Sequence, residues 1–285
     1  MRGERPALSR RELIAGTVGA GFALAVRPIS AATITTSTEG LEIADLHLQG
    51  PNGDVPAYMA WPAKRKKKPP VVLVVHEIFG VHEHIRDVCR RLAKLGFAAI
   101  APDLFARQGD VSKLADNKEI FAKVVSKVPD AQVLNDLDLC IAHMKVKEFD
   151  KERVAITGFC WGGRIAWLYA ARNSTVRASV AWYGRLVGDK DALHPQNPID
   201  VAATLKAPVL GLYGGQDQGI PVATVEEMRK ALAAGGAASK RSQIQVYPDA
   251  GHAFFADYRP SYRADAAADG WKRMLEWFKA NGVAP

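Results

Sequence analysis

The chain has 285 residues, of which 48% are hydrophobic and 24% charged, with a formal net charge of +8. That balance excludes disorder, collagen and coiled coil as descriptions of the whole chain. Three cysteines without a C-x-x-C or Cys/His ladder exclude a disulfide framework and a structural zinc module.

Residues 1–32 have the pattern of an export signal. Ser9-Arg10-Arg11-Glu12 leads into an apolar run over 13–26, too short to cross a hydrocarbon core of about 30 Å as a helix but suited to a signal h-region. The paired arginines resemble the twin-arginine signal, which exports folded proteins. Ser30-Ala31-Ala32 supplies small residues for cleavage, and Ala25 is a competing site. The expectation is a signal over 1–32 read by the twin-arginine translocase, a single domain over 33–285, and a periplasmic destination. Removing 1–32 leaves 33 basic and 28 acidic residues, a net charge of +5.

The domain opens on alternating segments at 42–48 and 55–61 around Pro51-Asn52-Gly53-Asp54, a hairpin signature. Lys64-Arg65-Lys66-Lys67-Lys68 follows, ahead of Pro69-Pro70. Nucleic acid would require a wider basic surface with aromatic or groove-entering elements beside it, so no nucleic-acid partner is expected. The run reads as an exposed turn, with anionic lipid or envelope polymer as its possible contact.

Val71–Val75 is a continuous β-branched run, as in a strand covered on both faces. Ile85, Val88, Leu92 and Leu95 define a helix over 84–95 that Gly96 ends, and 97–101 is the next strand. Helices are expected at 113–126 and 130–147, then a strand at 154–157 and a helix at 162–171. Strands at 176–182 and 208–213, a helix after Pro221 and a strand at 242–247 come next. A loop to 260 precedes a final helix over 261–280, with Trp271, Leu275 and Phe278 as its buried stripe. Repeated strand–helix–strand units imply a mostly parallel sheet with helices on both faces.

Gly158-Phe159-Cys160-Trp161-Gly162-Gly163 lies between a strand and a helix, the context that makes G-x-nucleophile-x-G an elbow. A thiol there gains from the helix N-terminus, which favours an anion and offers backbone donors. Asp217 and His252 each follow a strand, where open α/β sheets keep their sites. The chain order Cys160, Asp217, His252 is nucleophile, acid, base, as in the α/β-hydrolase arrangement. The backbone N–H groups of Ile78 and Trp161 are the candidate oxyanion donors. Glu77, beside Ile78, is placed to control the protonation of Cys160. Phe105 and Phe254 are among the aromatic residues that could wall an apolar pocket.

With these residues in place, the chain resembles the dienelactone hydrolases (carboxymethylenebutenolidases) of the α/β-hydrolase superfamily, over roughly 41–282. The resemblance rests on His76-Glu77-Ile78-Phe79-Gly80-Val81, Pro102-Asp103-Leu104-Phe105-Ala106-Arg107, the Cys160 elbow, Gly214-Gly215-Gln216-Asp217 and Gly251-His252-Ala253-Phe254. It implies an α/β-hydrolase fold and a thiol that opens a lactone through an acyl-enzyme. It also implies that Glu77 takes part in activating the thiol and that Arg107 holds the substrate carboxylate. The family's second substrate arginine, four residues after the histidine, is Ala256 here; Arg259 and Arg263 are the candidate replacements.

His76, His82 and His84 fall close together, but Gly80 stands where H-E-x-x-H needs its second histidine. No metal and no cofactor are expected, and Cys89 and Cys140 read as buried thiols. The sequence reading is therefore a cysteine-dependent hydrolase of small carboxylic esters or lactones, without stable membrane insertion and as a monomer or small oligomer. The alternatives are a thioesterase, a hydrolase of a larger envelope ester, or a binding protein that kept the elbow and lost turnover.

Overall fold

The computed structural model describes residues 33–51, 53–146 and 149–285, so the expected export signal lies outside the described residues. The hairpin is β1 (Leu41–Gly50) and β2 (Gly53–Pro62), antiparallel, with Leu46 opposite Ala57. The next strands are β3 (Pro70–Val75), β4 (Ala98–Pro102), β5 (Asp150–Phe159), β6 (Val176–Trp182), β7 (Val209–Gly214) and β8 (Gln243–Tyr247). They form one sheet in the order β1-β2-β4-β3-β5-β6-β7-β8. From β4 to β8 every pairing is parallel, and β2 joins β4 antiparallel. Every residue of β3, β4 and β7 is buried, which explains why their sequences run apolar without alternation.

The helices are α1 (Glu83–Lys94), α2 (Asn117–Lys123), α3 (Asp130–Val146), α4 (Trp161–Arg172), α5 (Pro198–Val201), α6 (Val222–Ala234), α7 (Ala237–Arg241) and α8 (Ala264–Ala280). On one face of the sheet, Phe97, between α1 and β4, meets Phe278 of α8, ring centroids 6.1 Å apart. On the other, Tyr169 of α4 donates to Asp138 of α3 at 2.8 Å. A mostly parallel sheet covered on both faces, with an elbow after β5, is the α/β-hydrolase fold.

Two boundaries differ from the sequence expectation. The helix expected at 113–126 is broken into a 3-10 turn (Val111–Lys113), α2 and a second 3-10 turn (Val125–Lys127). Asp110 and Asp116 each cap a new start, accepting from Ser112 N and Glu119 N, so local side-chain bonds interrupt the helix. The last helix begins at Ala264 rather than 261, because Arg263 N is drawn back to Phe254 O at 2.9 Å. Its most buried residues include Ala267, Gly270, Met274, Trp277 and Phe278, while Trp271 and Leu275 are only partly covered.

Register fixes where the loops emerge. Val75 pairs with Gly158, Phe159 with Trp182, Trp182 with Leu212, and Gly214 with Tyr247. The carboxyl ends of β3, β5, β6, β7 and β8 thus line up, and the residues that follow them gather along one edge.

Candidate active site

Cys160 sits at φ 54° and ψ −115°, between β5 and α4. Such a backbone costs a non-glycine residue about 1–3 kcal/mol and persists only where its surroundings impose it. Here Cys160 N donates to Trp182 O at 3.0 Å, and Gly163 N donates to Cys160 O at 3.0 Å. The turn also needs glycine for space. A Cβ on Gly162 would lie 2.4 Å from Val75 O, and one on Gly158 would lie 2.1 Å from Gly162 O. The elbow is pressed onto the end of β3, which brings Cys160 to the loop carrying Glu77.

The three sequence candidates are hydrogen-bonded in series. His252 Nε2 is 3.2 Å from Cys160 Sγ, and His252 Nδ1 is 2.7 Å from Asp217 Oδ2. Asp217 is buried and its Oδ1 accepts from Gly219 N at 2.9 Å, which fixes the carboxylate toward the ring. Gln216 N bonds Ala250 O at 2.9 Å, tying the loop after β7 to the loop after β8. Burial would lower the His252 pKa, but the charges of Cys160 and Asp217 prevail and raise it to about 10.

Trp161, the first residue of α4, carries one of the N–H groups that an α-helix leaves without an intrahelical acceptor. Ile78 lies in the turn after β3, the strand against which the elbow packs. His76 shapes that turn: its Nδ1 lies 2.6 Å from Glu77 O, and its Nε2 accepts from Leu104 N at 3.1 Å. Both ring nitrogens are thereby committed to backbone, and burial lowers the pKa of the imidazole.

Glu77 is wholly buried. Burial should raise its pKa, yet it is lowered to about 2 by His82, Arg259 and His84. Tyr258 donates to Glu77 Oε2 at 2.5 Å, His82 Nε2 lies 3.8 Å from the same oxygen, and Arg259 lies 4.0 Å from Oε1. The Arg259 guanidinium also stands 5.3 Å from the centre of the Phe79 ring. Of the two arginines proposed for the family's missing one, Arg259 reaches the cluster, through Glu77.

Arg107 is placed differently. Its guanidinium is ion-paired with Asp136 of α3, whose carboxyl is raised by burial despite that partner. Phe105 and Phe254 are both fully buried. Phe105 stands behind the mouth against His76 and Trp161, at 4.6 and 4.7 Å between centroids. Phe254 packs on Tyr247 and Tyr183 at 5.0 and 5.3 Å. The half-exposed residues around the sulfur are instead Phe79, His82, Trp161, His252 and Tyr258.

In the sequence, Tyr183 and Tyr258 count only among aromatic residues that could wall a pocket, with no role for either at the triad or Glu77. Tyr183 follows β6 with φ 38°, its ring is 5.2 Å from that of His252, and its buried hydroxyl lacks a hydrogen-bond partner among the described residues. A positive φ on tyrosine leaves no mark in sequence. Nor does the hydrogen bond of Tyr258 to Glu77, which spans 181 residues.

Among the described residues, no group of three or more His, Cys, Asp or Glu side chains is arranged to hold a metal. Cys89 and Cys140 are buried, and burial pushes both thiols up.

The model of the "Dienelactone hydrolase family" matches residues 55–282. The chain belongs to the dienelactone hydrolase family. It is thus a member of a hydrolase family. Several relatives carry the name "Putative carboxymethylenebutenolidase". One, from Methylorubrum extorquens, is 60% identical over 279 residues, 97% of this chain and 94% of the relative. Another, from Escherichia coli K12, is 52% identical over 269 residues, 94% and 98% of the two chains. A Klebsiella pneumoniae crystal structure described as a "Putative Dienelactone Hydrolase" superposes with a TM-score of 0.81 at 53% identity, covering 84% of this chain and 98% of that one.

Proposed function

We propose that this dienelactone hydrolase family member is a cysteine-dependent hydrolase of small carboxylic esters or lactones. The observation that carries the reading is the unbroken series Cys160–His252–Asp217 at a positive-φ elbow. Cys160 attacks the substrate carbonyl, and the N–H groups of Ile78 and Trp161 receive the developing oxyanion. Protonated His252 donates to the leaving oxygen, which yields the acyl-enzyme. The same imidazole, now neutral, draws a proton from water, hydroxide attack releases the acid, and the sulfur leaves as the thiolate beside the reprotonated His252. Asp217 holds the tautomer and stabilises the imidazolium.

Glu77 keeps a negative charge in the buried cluster after β3, held by Tyr258 and next to His82 and Arg259. We read it as the group that sets how readily Cys160 is ionised. Of the arginines considered for a substrate carboxylate, Arg107 and Arg259 each face a protein carboxylate, Asp136 and Glu77 respectively. That pairing favours neutral esters and lactones over anionic ones.

Mixing the enzyme with an activated ester should give a burst of one leaving group per site, with the acyl group recovered on Cys160 by mass spectrometry. Cys160→Ala should give none while keeping the circular dichroism of the parent. A full burst from the alanine variant would overturn the assignment.

Export by the twin-arginine route to the periplasm is part of the same proposal, supported by Arg10-Arg11 ahead of the apolar run at 13–26. Replacing both arginines by lysine should retain the precursor in the cytoplasm. Undiminished delivery would exclude that route.

A further inference from the structure

The two ends of the parallel sheet differ in charge. The carboxyl end carries the Cys160 cluster. At the amino end the chain enters each parallel strand, and the crossover helices finish there because they run back against the strands. Exposed basic residues mark these entries. Lys64-Arg65-Lys66-Lys67-Lys68 leads to β3, Lys151 opens β5, Arg177 opens β6, Lys206 precedes β7 and Arg241 precedes β8. With strands about 4.8 Å apart, the entries from β3 to β8 span roughly 20 Å.

The patch is continuous. Arg153 donates to Lys68 O at 2.9 Å and also to Ala284 O, joining the basic run to the C-terminal residues. Those residues lead on to a shallow cavity of about 410 Å³ bordered by Ser174, Arg177, Lys206, Arg241 and Asn281. Lys206 Nζ is held in place by Arg172 O at 2.6 Å. Elsewhere on the surface, Lys113, Lys123 and Lys190 are each matched by a carboxylate. Among the described residues no such ion pair holds Arg177, Lys206 or Arg241. Carboxylates at this end include Glu152, the Asp150 already paired to Arg153, and Glu39, whose backbone carbonyl accepts from Lys94. Beside it, Leu95 stands 45% exposed after the last turn of α1.

We propose that the amino end of the sheet is a docking surface for an anionic phospholipid bilayer. The chemistry is that of headgroup phosphates set in a plane against cations set along the strand entries. Each Lys or Arg brought to an anionic lipid surface strengthens attachment roughly fivefold, within a Debye length of about 10 Å. A nucleic-acid surface would add stacking aromatics or a groove-entering helix. The aromatics nearest the basic run are Trp61 and Phe149, which pack edge-on 5.9 Å apart with Arg65 over the nearly buried Phe149, so they serve the fold. The exposed Phe121 lies away on α2. Docked by the amino end, the protein keeps the Cys160 opening turned to solvent.

The test is sedimentation of the full chain with phosphatidylcholine vesicles, with and without phosphatidylglycerol. The wild type is compared with Arg177→Gln/Lys206→Gln/Arg241→Gln and, separately, with Lys66→Gln/Lys67→Gln. Residues 1–32 are common to all three proteins, so their contribution cancels. The wild type should prefer phosphatidylglycerol vesicles and lose that preference in high salt. The triple variant should bind them at least tenfold more weakly and the double variant several-fold, with ester turnover in solution unchanged. Equal partition of wild type and both variants would overturn the proposal. So would a charge-dependent affinity that appears for a DNA duplex or inorganic phosphate but not for the vesicles.

Discussion

His84 Nδ1 lies 3.0 Å from Asp257 Oδ1, a contact that spans 173 residues and joins α1 to the loop after β8. The other oxygen of Asp257 accepts from Arg91 at 2.5 Å, and Arg91 also donates to Asp87 at 2.5 Å. Asp87 in turn accepts from Thr36 N at 2.5 Å. The residues directly after Asp257 are Tyr258 and Arg259, which hold Glu77. The buried His84–Asp257–Arg91 network therefore sets the position of both partners of the Glu77 carboxylate.

Asp257→Asn should be destabilising, because it removes the buried carboxylate that Arg91 and His84 share, leaving Arg91 only Asp87. Breaking such a pair costs about 3–5 kcal/mol. Urea denaturation measures that loss. Alkylation of Cys160 by iodoacetamide, followed against pH, separates positioning from bulk stability. The profile should shift in Asp257→Asn and not in an equally destabilised core variant such as Ile85→Ala.

Tyr258→Phe removes the 2.5 Å hydrogen bond to Glu77 and little else. Hydrogen bonds to charged groups contribute about 1.5–3 kcal/mol, and the variant should lose stability in that range. The Glu77 pKa should rise, and the pH dependence of kcat/KM should change on its acid limb. An unchanged acid limb would mean that Tyr258 only fills space.

Stability should fall on both sides of neutrality, for opposite reasons. Glu77 is depressed to about 2 from an ordinary 4.5, so its contribution is present above pH 4.5 and is lost as pH falls toward 2. His252 is raised to about 10 from 6.5, so its contribution is present below pH 6.5 and is lost as pH rises through 10. Melting temperatures from pH 2 to 10 test this: Glu77→Gln should flatten the acid side, and His252→Asn the alkaline side.

Arg107→Ala should destabilise the fold, since it leaves the buried Asp136 carboxyl without its cation. Its effect on kcat/KM should be similar for neutral and carboxylate-bearing substrates. Arg259→Ala should instead alter turnover of both classes through Glu77, with a changed pH profile. A loss at Arg107 confined to anionic substrates would show that its guanidinium leaves Asp136 to hold the substrate.

The sequence by itself determined the strands, the elbow and the chain order of Cys160, Asp217 and His252. Each depends on short-range rules: β-branched runs for covered strands, glycines where backbones touch, and loops at strand ends. It did not determine the breaks around Asp110 and Asp116, where capping competed with helix propensity. Nor did it place Arg107, since a long side chain takes whichever carboxylate the packing of α3 presents. The setting of Glu77 belongs wholly to the tertiary structure. His82, Tyr258 and Arg259 carry no shared motif and converge because parallel strands in register bring the loops after β3 and β8 to one edge. Only there does burial make a carboxylate dependent on its neighbours for its charge.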